Sequence, residues 1–317
     1  MGRADHLSKP YTAPAVPDLR EPRLAEPLQR LLDHLNRGGA ESLHPPEVLD
    51  GSPAAVYSDG SAPKVVVVVS ATGGVGRSTL AAALANGLQR QGHPALALDL
   101  DPQNALFHHL CPGFDLPGLG ATSLLNQTWQ ALPKRGFAGC RLVTFGKTNA
   151  VQQQSLNRWL GQDLEFLGKR LAGLGLNGED TVVIDVPAGN TVYLTQAMSV
   201  ADTVLVVVQP DAVSFRGLAR MDEVLAPYLA NASSPQRFYV INQVDGGHAF
   251  SQDMAGVFTL HLGDAVLGTV RRDLAFSEAQ AYGRDPLDPV INSVGCQDVN
   301  ALCRALSARM QLASAGH

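Results

Sequence analysis

Residues 65–80 read VVVVVSATGGVGRSTL, and this stretch constrains the fold more than any other part of the chain. Residues 65–69 form a run of valines that is too short and too β-branched for a helix interior, and such a run is typical of a strand buried on both faces of a parallel sheet. A glycine-rich loop follows, and an alanine-rich segment from residue 79 to about 91 predicts a helix after it. The order strand, loop, helix is the setting in which a phosphate-binding loop works.

The loop offers several groups to a phosphate. Its glycines lack a Cβ atom, so the backbone can turn tightly and direct its N–H groups at oxygen anions. The following helix directs the positive end of its dipole at the same point, and Ser78 lies where a hydroxyl would coordinate Mg²⁺. A glycine-rich turn in a protein without nucleotide is the alternative. The predicted nucleotide site comprises Thr72, Gly73, Gly74, Val75, Gly76, Arg77, Ser78 and Thr79.

The loop also departs from the strict phosphate-loop pattern. That pattern ends in Gly-Lys-Ser/Thr, and its lysine contacts the β- and γ-phosphates. Arg77 stands at the lysine position here. Arginine keeps the positive charge, but its planar fork is bulkier than an ammonium group and does not reproduce its geometry. Because phosphoryl transfer depends on positioning and charge stabilisation, we expect nucleotide binding with slow or absent hydrolysis.

Two further apolar segments end in acidic residues. The segment ALALDLD ends at Asp101, and the segment TVVID ends at Asp185. An acid at the carboxyl end of a parallel strand, beside a phosphate loop, can hold Mg²⁺ directly or through water. We predict this role for Asp185. The alternative for each acid is to cap a loop or the next helix, and for Asp99 both interpretations stay open.

Apolar runs at 203–208, 238–242 and 266–270 predict further strands, and helical patterns lie between several of them. This alternation predicts an α/β fold, a doubly wound and mostly parallel sheet with helices on both faces and ligands at the carboxyl ends of the strands. In the middle of the chain, 121–132 and 153–174 have helical patterns, with a strand predicted at 140–145.

Trp129 and Trp159, in the middle of the chain, could anchor a partner at the surface or pack in the core. The C-terminal segment 298–312 predicts a helix that either packs on the sheet or seeks a membrane. Its modest apolar stripe favours packing.

Composition restricts the classes of partner that the chain can be expected to bind. The 317 residues are 45% hydrophobic and carry a formal net charge of −5, so the chain has no overall basic field for nucleic acid or anionic lipid. The four cysteines are scattered without a CxxC pair, which favours reduced thiols over a metal or disulfide site. The pair His108-His109 fits a helix start better than a metal site. No apolar run reaches the length of a membrane span, and the N-terminus has no apolar signal region.

The first 63 residues differ from the rest. Their many prolines predict a largely disordered N-terminal extension, interrupted by a short amphipathic helix at 24–35 with leucines on one face. That helix either packs back onto its own domain or docks on a partner or second protomer. The predicted organisation is therefore an extension at 1–63, a nucleotide-binding domain at 64–312 and a tail at 313–317.

Together, the motifs ATGGVGRST, DLDPQN, VIDVPAG, VVVQPD and VINQVD resemble the deviant Walker A ATPases of the MinD/ParA group. The resemblance covers about residues 64–312. It implies that Asp101 positions the attacking water, that Asp185 is the second-switch acid at the metal and that Asn242 reads adenine. It also implies an ATP-sandwich dimer, in which a signature lysine reaches the partner's phosphates; Thr72 stands at that position here.

Within this group the chain looks most like the BcsQ (YhjQ) proteins of bacterial cellulose-secretion operons, because of the two altered lysine positions and the DVPAG motif. That resemblance implies ATP and Mg²⁺ as cofactors, and a cytoplasmic homodimer that scaffolds other subunits of a membrane cellulose synthase complex. It implies no direct contact with nucleic acid, and membrane association only through partners. The rivals are an active positioning ATPase, in which Arg271 or Arg272 replaces the missing charge, and a nucleotide-free scaffold.

Overall fold

The computed structural model describes residues 61–111, 117–189, 191–231 and 234–315. The predicted extension up to residue 60 and its helix at 24–35 lie outside these ranges. Eight strands form one sheet: β1 (Lys64–Val69), β2 (Ala95–Asp99), β3 (Lys134–Arg135), β4 (Arg141–Val143), β5 (Thr181–Asp185), β6 (Thr203–Val208), β7 (Gln236–Val244) and β8 (Val266–Arg271).

The strands follow the order β3-β4-β2-β5-β1-β6-β7-β8. Every neighbouring pair is parallel except β3 and β4. The predicted fold class is therefore confirmed. Strand β5 lies between β1 and β2, so the ends of these three strands adjoin, and Asp185 is in register with both Val68 and Asp99. This arrangement sets the two acid-bearing strand ends beside the glycine-rich loop.

Helices cover both faces of the sheet. The described α-helices are α1 (Arg77–Arg90), α2 (Ala105–Leu110), α3 (Leu119–Leu124), α4 (Ala150–Leu160), α5 (Phe166–Ala172), α6 (Val192–Met198), α7 (Ala212–Leu225), α8 (Ala249–Leu262), α9 (Leu274–Tyr282) and α10 (Val294–Ala315). Val67 in β1 belongs to the hydrophobic cluster on one face, and its neighbours Val66 and Val68 belong to the cluster on the other. A strand buried on both sides explains the unbroken valine run.

The C-terminal helix packs on the sheet, as the sequence favoured. Leu302, Leu306 and Met310 of α10 are buried in the same cluster as α1. Gly87 of α1 allows this approach, since a Cβ atom there would lie 2.6 Å from the Sγ atom of Cys303. The apolar stripe of this helix is therefore buried in the core.

The middle region is more broken than predicted. The predicted helix at 121–132 is wrong beyond Leu124, where α3 ends. The predicted helix at 153–174 is two helices, α4 and α5, separated by a turn that begins at Gly161. Helix α4 also starts earlier, because Asn149 and Gln152 form a capping box in which each side chain accepts from the other's backbone N–H. The strand predicted at 140–145 is shorter, and β3 was not predicted.

Both tryptophans contribute to the core. Trp129 is 2% exposed, and its Nε1 donates a hydrogen bond of 3.1 Å to the Ser123 hydroxyl. Trp159 is partly buried and packs against the same cluster. Phe166 contacts both indole rings, at centroid distances of 5.9 Å and 4.8 Å. The surface-anchor interpretation of Trp129 is therefore wrong, and the core interpretation holds.

Candidate functional site

The glycine-rich loop connects β1 to α1 and adopts a conformation that its glycines require. Gly74 and Gly76 have φ angles of 82° and 81°, in the left-handed region that side chains disfavour. Gly76 is the N-cap of α1. The Ser70 hydroxyl donates to the carbonyl oxygen of Thr72 over 2.8 Å, which ties the start of the loop together.

Helix α1 starts directly at this loop, at Arg77, and its first turn contains no acidic residue. The first N–H groups of a helix have no partner within the helix, and the helix dipole adds positive potential at that end. Ser78 and Thr79 lie in this first turn and are half-buried. Loop and helix together therefore form an anion-binding geometry of the kind used for phosphates.

Arg77 does not point out of the loop as a free cation. Its Nε atom donates to Asp185 Oδ1 and its Nη2 atom donates to Asp101 Oδ2, both over 2.6 Å. A longer contact of 3.3 Å joins Nη2 to the Ser78 hydroxyl. The Arg77 side chain is 10% exposed, and its guanidinium group bridges the two acids that the sequence assigned to catalysis and to the metal. The sequence predicted all three residues at the site but not this ion-pair bridge.

Three carboxylates meet at this point. Asp99 and Asp185 are fully buried and in register on β2 and β5. Burial raises the pKa of Asp185, while the charge of Arg77 opposes the rise. Burial, together with the nearby charge of Asp185, raises the pKa of Asp99 well above its usual value.

Asp99 has a structural role in organising the loop after β2. Its Oδ1 accepts a hydrogen bond from the backbone N–H of Asp101, and its Oδ2 accepts one from the N–H of Leu106 in α2. The side chain of Asp101 then accepts from the N–H of Gln103 over 2.9 Å. Of the two interpretations that the sequence left open for Asp99, the structure favours the loop-capping one.

The donor set near Ser78 suits Mg²⁺ in kind, because the hydroxyl and the carboxylates of Asp101 and Asp185 supply hard oxygen ligands. Within the described residues, Asp185 Oδ2 has no hydrogen-bond partner although it is buried, so it could accept from a metal-bound water. No cluster of three or more His, Cys, Asp or Glu side chains among those residues is arranged to hold a metal by itself. Mg²⁺ at this site would therefore need ligand phosphates as additional donors.

Asn242, predicted to read adenine, lies at the other side of the loop. It is 7% exposed on β7, and its Nδ2 atom donates to the carbonyl oxygen of Val75 over 2.8 Å. The neighbouring Gln243 donates to the carbonyl oxygen of Gly74 over 3.2 Å and has a φ of 59°. Sequence reasoning missed Gln243. The signal that could have found it was the polar Asn-Gln pair near the end of an apolar strand.

The remaining candidates lie outside this cluster. Arg271 pairs with Asp298 through Nε and Nη2, and Arg272 lies 3.8 Å from Asp245. His109 is in α2, with its Nε2 3.2 Å from the Thr79 hydroxyl. Cys111, Cys140, Cys296 and Cys303 are free thiols. In the described part of the chain no helix is both long and apolar enough to cross a membrane.

Comparison with solved structures agrees with the fold described above. Among solved structures, the chain is similar to MinD from Pyrococcus furiosus, a cell division ATPase, with a TM-score of 0.63, 19% identity, and coverage of 78% of this chain and 99% of that one. A plasmid partition protein from Borrelia burgdorferi, solved with AMPPNP, gives a TM-score of 0.63 at 17% identity over 78% of this chain and 100% of that one. Fold and loop together define an α/β protein with a loop of phosphate-binding geometry, and its fold is similar to the folds of these two proteins.

Sequence comparison narrows the class. The family model "Cellulose biosynthesis protein BcsQ" matches residues 64–305, and the chain therefore belongs to the BcsQ family. The BcsQ protein of Salmonella typhi is 31% identical over 142 residues, which cover 44% of this chain and 56% of that protein. The chain thus matches little more than half the length of these curated relatives. The partitioning ATPase Soj of Thermus thermophilus is 25% identical over 78% of this chain and 96% of its own length.

Proposed function

We propose that this chain is an ATP-binding, dimerising scaffold or regulator in a bacterial cellulose synthesis and secretion system, with weak or absent ATP hydrolysis. Membership of the BcsQ family supports the cellulose role. The single observation that carries the slow-hydrolysis part is the position of Arg77, which pairs with Asp101 and Asp185 instead of standing free in the loop. A charge engaged in this way is poorly placed to stabilise a transferring phosphoryl group.

In this proposal each part of the site has a role. The loop from Gly73 to Thr79 surrounds the phosphates, and Asn242 lies on the adenine side. Ser78 and Asp185 hold Mg²⁺ when it is bound, the latter through water, and the ion neutralises phosphate charge. Asp101 would orient the attacking water. Thr72 has no positive charge to offer a partner subunit's nucleotide, which further slows hydrolysis.

The assembly in this proposal rests on the resemblance to the MinD/ParA group. Two chains would meet face to face with nucleotide between them, and residues 64–312 would act as the nucleotide-binding unit. Other subunits of a membrane cellulose synthase complex would recruit the dimer from the cytoplasm to the membrane.

The test is the nucleotide content of freshly purified protein to which no nucleotide has been added. The protein is denatured, the released nucleotide is identified by chromatography, and the native mass is measured in parallel. About one ATP per chain on a dimer would support a long-lived, structural nucleotide. A chain that neither retains nor binds any nucleotide would contradict the proposal and favour a scaffold that keeps only the fold.

An active positioning ATPase is the second candidate, favoured by the acids Asp101 and Asp185 and by the 25% identity to Soj over most of both chains. It would need a cation to replace the missing lysines. Arg271 and Arg272 are the candidates for that cation, but Arg271 is engaged with Asp298. ADP in the purified protein, or an empty monomer that dimerises only when ATP is added, would favour this candidate.

A further inference from the structure

Arg77 is fixed by two separate ion pairs rather than one. The Nε atom faces Asp185 and the Nη2 atom faces Asp101, each over 2.6 Å. Two donors of one rigid fork thus hold two carboxylates from different parts of the sheet, one at the end of β5 and one in the loop after β2. An ammonium group is a point charge and cannot span two acids in this planar geometry.

The Arg77 guanidinium group is a positive charge among carboxyl groups. An arginine side chain does not lose its proton in a protein, and here two carboxylates contact it. Asp99 is buried as well and lies in register with Asp185, so three carboxyl groups gather around one guanidinium group. A buried carboxylate without a positive partner is costly, so removal of one member of a buried pair destabilises the fold.

We infer that Arg77 is a built-in counter-cation, which competes with a divalent metal ion for Asp101 and Asp185 and lets the chain bind nucleotide with little dependence on Mg²⁺. The inference rests on the proposed nucleotide site and specifies how that site is regulated. In a phosphate loop with lysine, the acids are left to the metal. Here Arg77, next to Ser78 at the start of α1, already contacts both acids.

The competition follows from the contacts. A metal ion that uses Asp185 as a direct or water-mediated ligand approaches a carboxylate of which one oxygen, Oδ1, is already hydrogen-bonded to Arg77. Its remaining oxygen, Oδ2, is buried without a partner in the described residues. The metal would have to share the carboxylate with a guanidinium charge or displace it from a nearly buried position, and both cost binding energy.

The first test measures the affinity for a fluorescent ATP analogue, N-methylanthraniloyl-ATP, with Mg²⁺ and with EDTA. For the wild-type chain we expect the two Kd values to agree within about threefold, less than 1 kcal/mol. In Arg77→Gln the neutral amide cannot replace the cation, and we expect EDTA to weaken binding by about tenfold or more. Arg90→Gln is the matched control, because Arg90 lies on the same helix and pairs with Asp285 outside the site.

The second test follows the metal itself, at saturating ADP, whose phosphates supply the remaining ligands. Mn²⁺ binding is followed by electron paramagnetic resonance in wild type, Arg77→Gln and Arg77→Lys, the last in case the glutamine variant does not fold. We expect a Mn²⁺ site in the variants that is absent or at least tenfold weaker in wild type. Adding Asp185→Asn to the Arg77 variants should remove that Mn²⁺ site.

The outcomes separate the two proposals. If wild type binds the analogue in Mg²⁺ but loses it about tenfold or more in EDTA, the counter-cation inference is overturned while the proposed ATP site stands. Equal Mn²⁺ binding by wild type and the Arg77 variants would overturn it as well. If wild type binds no analogue under either condition, the proposed nucleotide function fails, and the inference fails with it.

Discussion

Asn242 donates a hydrogen bond of 2.8 Å to the carbonyl oxygen of Val75, although the two residues lie 167 positions apart in the chain. This contact joins the end of β7 to the glycine-rich loop. Gln243 adds a parallel contact to Gly74. The predicted adenine side and the predicted phosphate side of the site are therefore linked directly, and a change in one is expected to disturb the other.

Gly76 is the residue on which this linkage depends. A Cβ atom there would lie 2.5 Å from Asn242 Nδ2, in addition to the cost of its φ of 81°. We expect Gly76→Ala to lower the free energy of unfolding by about 2 kcal/mol or more and to weaken nucleotide binding. Chemical denaturation and the fluorescent ATP analogue measure the two effects.

Gly92→Ala is the matched control, since Gly92 has a φ of 86° but a Cβ atom there would meet no other atom within 4 Å. It should cost about 1 kcal/mol, from backbone conformation alone, without a change in nucleotide affinity. Equal losses of stability in the two variants would show that the contact with Asn242 does not matter.

His109 predicts a pH dependence of stability. Burial, with a smaller contribution from the charge of His108, lowers the pKa of His109 to about 4. Between this value and the ordinary 6.5, the unfolded chain binds a proton that the folded chain does not, so stability falls as the pH falls. The free energy of unfolding is therefore unaffected by His109 protonation above about pH 6.5. Below that pH, protonation of His109 in the unfolded chain lowers it by at most about 3 kcal/mol.

The variant His109→Gln retains a group that can hydrogen-bond to the Thr79 hydroxyl but does not titrate. Denaturation of both proteins between pH 4 and pH 7 checks the prediction. The wild-type chain should lose more stability on acidification than the variant. Parallel curves over this range would assign the acid sensitivity to other groups.

The sequence predicted the parts of this protein whose physics is local. Runs such as TVVID are apolar at every position but the ends, and a strand covered on both faces accommodates such a run. The sequence therefore predicts these strands to within a few residues. Asn149 shows why helix limits were less accurate, since its cap depends on a reciprocal bond with Gln152. The Arg77 bridge could not be predicted for another reason. It joins Arg77 to Asp101, which lies 24 positions further along the chain, and to Asp185, which lies 108 positions further along. Its geometry therefore depends on strand order.

Trp129 offers a test of the core in the region where prediction was weakest. The indole is 2% exposed and packs edge-on against Phe166. We expect Trp129→Ala to cost about 3–5 kcal/mol, because it leaves a large cavity and an unpaired Ser123 hydroxyl. Trp159→Ala, at a partly buried site on the same cluster, should lower the free energy of unfolding clearly less. Urea titration of the two variants measures both losses. A small loss at Trp129 would place that side chain outside the rigid core.

The two altered lysine positions give the sharpest test of slow hydrolysis. A positive charge supplied to the transition state of phosphoryl transfer contributes about 10³–10⁵ in rate in related systems. We therefore expect the double variant Thr72→Lys/Arg77→Lys to hydrolyse ATP at least about tenfold faster than wild type, because it supplies a charge at residue 72 and releases Asp101 and Asp185 from the guanidinium bridge. A coupled phosphate-release assay on nucleotide-saturated protein measures the rate.

The variant Asp101→Asn, made in that double-lysine background, should remove the gain, since the amide cannot accept a proton from water as a carboxylate can. Each single lysine variant should gain less than the pair if the two charges act on the same phosphoryl group. A double variant that binds ATP as tightly as wild type and hydrolyses it no faster would show that the lost lysines do not limit the rate. The reason for slow turnover would then have to be sought in the loops that follow β2 and β5.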